Sequence, residues 1–139
     1  MVTALRDNDN ETALKLANEI LEQNYIFPDA HAAAIQAYQN LGQSEEVNYH
    51  RYVLNGLIKS IIQSGDGKSP ETAFVVVLIE EEYAILAVLG IEHSGQSEMN
   101  VDGHSYDVFN GTDSRSGSPV EIYFNIDIPF GDLTNFLNP

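Results

Sequence analysis

The chain has 139 residues, 43% of them hydrophobic, which suffices for one domain or for two small parts sharing a core. Twenty-one acidic residues face six basic ones, a net charge of -15 that excludes a surface built for nucleic acid or anionic membranes; it suits a basic partner, or serves solubility alone. No cysteine is present, so a disulfide framework and a thiolate metal site are both excluded.

Residues 1–7 lack the basic start and apolar core of a signal peptide, and no run reaches the ~18 apolar residues of a membrane span. The expectation is a soluble chain, cytoplasmic as given, without membrane insertion. The alternative is a trimmed form of a longer precursor whose missing segment carries an export signal.

Residues 11–24 carry Ala13, Leu14, Leu16, Ala17, Ile20 and Leu21 at helical spacing, with Asn10 as N-cap and Glu11 in the first turn. Pro28 and Asp29 break the chain before a second helix over 30–41, ended by Gly42 in a left-handed C-cap. Ser44 caps a third helix running to 63, with Tyr49, Tyr52, Val53, Leu57, Ile58 and Ile61 as its apolar line. Short helices and a Leu-Gly turn predict tetratricopeptide-like stacking, with a generic three-helix packing as the alternative. A shift of 34 residues, that repeat's period, places Asn8 on Gly42 and Glu11 on Glu45. It implies that the chain begins inside a repeat.

The segment Ser64-Gly65-Asp66-Gly67-Lys68-Ser69-Pro70-Glu71-Thr72-Ala73-Phe74 separates this helical part from a strand-rich one. Its glycines permit positive φ, its proline fixes φ, and Asp66 and Ser69 can bond nearby backbone, so it reads as a rigid hinge. The run Phe74–Ile79, rich in β-branched residues, predicts a strand buried on both faces. Glu80-Glu81-Glu82 opens a helix over 81–89, packed through Tyr83, Leu86, Ala87 and Leu89 and stopped by Gly90. Residues 93–103 read as a polar loop. His104–Phe109 is a strand, 110–117 is turn material, and 120–127 alternates, with Val120, Ile122, Phe124 and Ile126 inward and Glu121, Tyr123, Asn125 and Asp127 outward. Pro129 ends that strand, and Phe130, Leu133, Phe136 and Leu137 are expected to fold over an open sheet edge. The predicted class is α+β: helical hairpins over 1–63, then a small β-α-β-β antiparallel sheet over 64–139.

The sequence resembles a bacterial family of uncharacterised proteins, domain of unknown function 4919. The resemblance rests on Leu41-Gly42, His50-Arg51, the whole Ser64–Phe74 string, Glu81-Glu82-Tyr83, Gly103-His104-Ser105-Tyr106-Asp107-Val108 and Tyr123-Phe124-Asn125-Ile126-Asp127-Ile128-Pro129-Phe130. It implies no mechanism. Members often extend further at the N-terminus, some with export signals, which agrees with a chain that starts late.

Familiar chemical motifs fail on inspection. Gly67-Lys68-Ser69 ends like a phosphate loop, but Ile62 stands where that loop needs glycine, a helix precedes it and Pro70 follows. Asp7-Asn8-Asp9-Asn10-Glu11 has the alternating oxygens of a calcium loop, but Thr12 and Asn18 stand where Gly and Glu belong, so it reads as a helix-entry turn. The histidines His31, His50, His93 and His104 form no metal-binding spacing, and no Gly-x-Ser-x-Gly elbow occurs. No cofactor or metal is expected. One constellation remains: Glu121, Tyr123, Asn125 and Asp127 on the last strand, beside His104 and Tyr106 or Ser105 and Asp107 according to register. If the Asp66, Lys68, Ser69 and Glu71 loop packs there, its groups join them. The leading expectation is a non-catalytic, acidic protein-binding module, for example an immunity-type protein that neutralises a basic toxin or effector. Tyr25, Tyr38, Tyr49 or Tyr52 would be its aromatic anchors. The alternatives are a hydrolase using His104, Asp107 and Asp66, and an accessory domain of an exported protein.

Overall fold

Asp9 caps the second helix of the chain: its side chain accepts a hydrogen bond from the Thr12 N–H at 3.1 Å and satisfies one of the free donors of a helix start. The computed structural model describes residues 1–131, and the chain forms two units, residues 1–59 and 60–139. The class is α+β.

The first unit contains α1 (Val2–Arg6), α2 (Asn10–Gln23), α3 (Pro28–Asn40) and most of α4 (Ser44–Ile62). The α2 cap is Asp9 rather than Asn10, whose side chain is instead buried and accepts from Asn40 Nδ2 at 2.9 Å. Helix α3 starts earlier than expected because Pro28 serves as its first residue, where a fixed φ is an asset and the missing N–H costs nothing. Ala17 and Leu21 of α2 pack against Ala30 and Ala34 of α3, with Leu14, Ile20, Phe27 and Tyr38 around them. Asn8 and Gly42, the pair matched by the 34-residue shift, are both left-handed, with φ of 59° and 73°. The same interval separates the ends of α1 and α3 (Arg6, Asn40) and the starts of α2 and α4 (Asn10, Ser44). The buried line of α4 passes through Val47, His50 and Ile61. Tyr49 and Tyr52, expected on that line, lie beside it and are exposed.

Among the described residues, the second unit contains a four-stranded sheet in the order β1-β4-β3-β2, with β1 Phe74–Val75, β2 Ile91–Val101, β3 His104–Asp113 and β4 Pro119–Asn125. Strand β1 runs parallel to β4, and the other pairs are antiparallel. The helices are α5 (Glu80–Leu89) and the single turn α6 (Asp127–Phe130). Phe74, Phe109, Ile122, Phe124 and Ile126 are buried with Ile85 and Leu86 of α5. The Phe109 and Phe124 rings meet edge to face with centroids 5.7 Å apart.

Three expectations need correction. The β1 ladder is two residues long, and Val75 and Val77 are exposed, so the apolar run is an edge strand buried on one side. Residues 93–103 are largely strand: β2 turns into β3 through Asp102 (φ 51°) and Gly103 (φ 82°), the two left-handed positions that a tight hairpin requires. Phe130 is 66% exposed and covers no edge, and Leu133, Phe136 and Leu137 lie outside the described residues. Among the described residues, no helix is long and apolar enough to cross a membrane.

Candidate functional site

The Ser64–Phe74 segment is held together by its own polar groups. Asp66 Oδ1 accepts from the Lys68 N–H at 3.0 Å and the Thr72 hydroxyl at 2.6 Å, while the Asp66 and Gly67 N–H groups both donate to the Thr72 carbonyl. The Thr72 hydroxyl and the Lys68 N–H hold the Asp66 carboxyl below its usual range. Ser69 bonds the Thr72 side chain, and the Glu71 backbone N–H, followed by the Ser69 side chain, lowers the Glu71 carboxyl. The loop reaches the sheet through its backbone, where Tyr123 N–H donates to the Gly67 carbonyl at 2.8 Å.

The register decides which strand residues share a face. Tyr106 stands opposite Asn125 and Val108 opposite Tyr123, so His104 and Tyr106 lie on the face of Glu121, Tyr123 and Asn125, while Asp127, expected on the same strand, begins α6 instead. At one end of that face, His104 Nδ1 lies 2.6 Å from Asp127 Oδ2; Asp127 also accepts from the Ser105 N–H at 2.9 Å and from Asn125 Nδ2 at 3.2 Å. Burial pushes the Asp127 carboxyl up, but these bonds outweigh it and hold it below the usual value. Tyr123 instead donates its hydroxyl to Glu121. Asp107 stands opposite Phe124 on the other face. His104, Asp107 and Asp66, the hydrolase candidates, are therefore not brought together: each is bonded to a different local partner.

Asp107 is the buried end of a polar chain, not visible in the sequence, that runs out to the surface. Gln96 Nε2 donates to Asp107 Oδ2 at 2.8 Å, and the Tyr83 hydroxyl donates to Gln96 Oε1 at 3.3 Å. Glu82 is fully buried, and neither carboxyl oxygen has a hydrogen-bond partner among the described residues. Burial, reinforced by the nearby Asp107 and Glu80 charges, pushes its pKa up to about 8, so Glu82 is protonated at neutral pH. Its neighbour Glu81 turns back along the chain and accepts from the N–H groups of Val77 and Leu78.

An open cleft of about 880 Å³ lies beside the β3–β4 hairpin. Phe74, Val120 and Ile122 form its apolar part; Lys68 and Arg115, the only basic residues of the second unit, line it with Asp66, Asp113 and Glu121. Arg115 donates to the Leu89 carbonyl at 3.0 Å, and its Nε lies 3.7 Å from Asp113 Oδ1.

A family model described as Domain of unknown function (DUF4919) matches residues 2–132. The chain belongs to this family. No match is found among curated proteins or solved structures.

The DUF4919 strings noted in the sequence are joined by specific contacts. The His104–Asp127 bond ties the Gly103–Val108 string to the Tyr123–Phe130 string, and the Tyr123–Gly67 backbone bond ties the latter to the hinge. Lys68, Asp66 and Glu121 reach the cleft, whereas His104, Asn125 and Asp127 gather elsewhere on β3, β4 and α6. Among the described residues, no three histidine, aspartate or glutamate side chains are grouped to hold a metal ion. The first unit holds the other polar cluster the sequence did not reveal: His31 and His50 are buried nitrogen to nitrogen, beside Tyr25, Tyr38 and Tyr49.

Proposed function

We propose that this DUF4919 chain is a non-catalytic module that binds a basic protein, with the second unit as the recognition surface. The observation that carries the reading is the distribution of charge. Residues 60–139 hold thirteen acidic and two basic residues, whereas residues 1–59 hold eight and four. Glu71, Glu80, Glu92, Glu98, Asp102 and Glu121 are exposed, and such a field steers a cationic partner and repels an anionic one. Tyr83, half exposed in the same unit, supplies an aromatic contact. Tyr25, Tyr49 and Tyr52 are exposed in the first unit and suit a second contact area there, while Tyr38 stacks on His50. The non-catalytic part of the reading is supported by the bonding of the acid-base candidates, each committed to a local structural role. A concrete form is an immunity-type protein that neutralises a basic toxin or effector. The tetratricopeptide-like reading of the first unit, supported by the 34-residue interval of helix ends, agrees with a protein-binding role.

Affinity capture from the cell of origin at low salt tests this. The expected result is a basic protein whose binding weakens steeply with ionic strength and is lost when Glu92, Glu98 and Asp102 are replaced together by lysine. Recovery of no partner at low salt, or of one indifferent to both changes, overturns the reading.

A further inference from the structure

The outermost strand of the sheet is its longest and most exposed. Strand β2 runs for 11 residues, and its whole stretch from Glu92 to Glu98 is exposed. Among the described residues, the sheet order leaves one side of β2 without a neighbouring strand, and its only backbone ladder is the one to β3. In a two-residue hairpin the residues flanking the turn, here Val101 and His104, exchange ladder hydrogen bonds, and alternate residues then direct N–H and C=O outward. Counting back from the turn, the outward set is Asn100, Glu98 and Gln96.

Natural edges are usually blocked by proline, lysine or a mid-strand bulge. Strand β2 has no proline, lysine or arginine, and its single bulge, between His93 and Gly95, lies toward one end and leaves a regular ladder from Gly95 to Val101. What protects it is acidic: Glu92 and Glu98 on the strand and Asp102 at the turn, all exposed. A second copy of this chain would set those acids against the same acids. A basic segment meets the opposite sign along the same edge.

We propose that β2 is the docking edge for an extended basic segment of the partner, which adds as a further strand. This rests on the reading of the chain as a binder of basic protein and names where and how it binds. Main-chain bonds to Gln96, Glu98 and Asn100 supply the register, and Glu92, Glu98 and Asp102 select the charge.

The test uses the full chain and a short peptide of alternating lysine and threonine, with an alternating glutamate and threonine peptide as control. Backbone amide exchange, read by NMR, is expected to slow at Gln96, Glu98 and Asn100 with the lysine peptide alone. Glu98→Gln removes one exposed charge and is expected to weaken binding about 2–5-fold. Glu98→Pro also removes an outward N–H, a loss an edge strand tolerates, and is expected to weaken binding roughly tenfold further while the β2–β3 ladder stays protected. Protection of these amides in the free chain overturns the proposal, because the edge is then already occupied. Salt-sensitive peptide binding that is equal in the Gln and Pro variants overturns strand addition and leaves the charge reading standing. No binding of the lysine peptide at low salt overturns both.

Discussion

His31 Nδ1 lies 2.9 Å from His50 Nδ1, and the opposite nitrogen of His31 lies 2.7 Å from the Tyr25 carbonyl. A carbonyl only accepts, so His31 carries its proton on Nε2; its neutral Nδ1 is an acceptor, and His50 must donate from Nδ1. The pair thus has one tautomeric arrangement when neutral.

Acid should therefore weaken the first unit. Burial, followed by the neighbouring His31, lowers the His50 pKa below 6.5. The unfolded chain then binds more protons than the folded one as pH falls below 6.5. Stability is complete above that value and declines between it and the lower folded pKa. His50→Asn places an amide nitrogen near the Nδ1 position, cannot titrate, and should flatten the His50 part of this dependence. Amide exchange of α3 and α4 across pH 5–8 reads it directly.

Glu82 predicts the opposite response in the second unit. Its folded pKa of about 8 stands above the ordinary 4.5, so the folded state holds a proton that the unfolded state releases. Its contribution is complete below pH 4.5 and is lost as pH rises through 8. Glu82→Gln should be close to neutral at pH 4 and more stable than the parent by a few kcal/mol, roughly, at pH 8. Urea unfolding of both proteins at the two pH values checks the crossover.

Asp127 joins the start of β3 to the start of α6 through three donors: Ser105 N–H, His104 and Asn125. Asp127→Ala leaves them without that acceptor and should cost about 1–3 kcal/mol at neutral pH. Because its folded pKa lies below 3.8, the charge-dependent share of this difference should be present above that pH and shrink as pH falls through the folded value. Denaturant midpoints of parent and variant from pH 2 to 7 measure the difference.

Helices α2 to α5, β4 and the hinge were legible because they carry local signals: Pro28 at a helix start, Gly42 and Gly90 at helix ends, and the alternation of Val120, Ile122, Phe124 and Ile126. Strand β2 was not, because an exposed edge with no buried face has no apolar period to read; only Asp102-Gly103 announced it. Glu80, Glu81 and Glu82 look alike in sequence as acids at a helix start. Packing separates them into an exposed charge, a backbone cap and a buried protonated acid. The His31–His50 pair and the Asp107–Gln96–Tyr83 chain depend on contacts between elements, which spacing along the chain does not encode.

Gly67 tests whether the hinge is structural. Its φ is +70°, and a Cβ there would strike the Phe74 ring, while its carbonyl accepts from the Tyr123 N–H. Gly117 has nearly the same φ, +71°, with open space around it. Gly117→Ala should therefore cost only the left-handed backbone penalty, about 1–2 kcal/mol. Gly67→Ala adds displacement of a buried aromatic ring and should cost about 2–4 kcal/mol. It should also speed amide exchange at Tyr123, since moving Phe74 draws the loop away from β4. Equal denaturant midpoints for the two variants would show that Phe74 yields freely and that the loop is not what holds β1 against β4. A larger loss at Gly67, with Tyr123 exchange following it, identifies the hinge as the element that fixes the sheet edge.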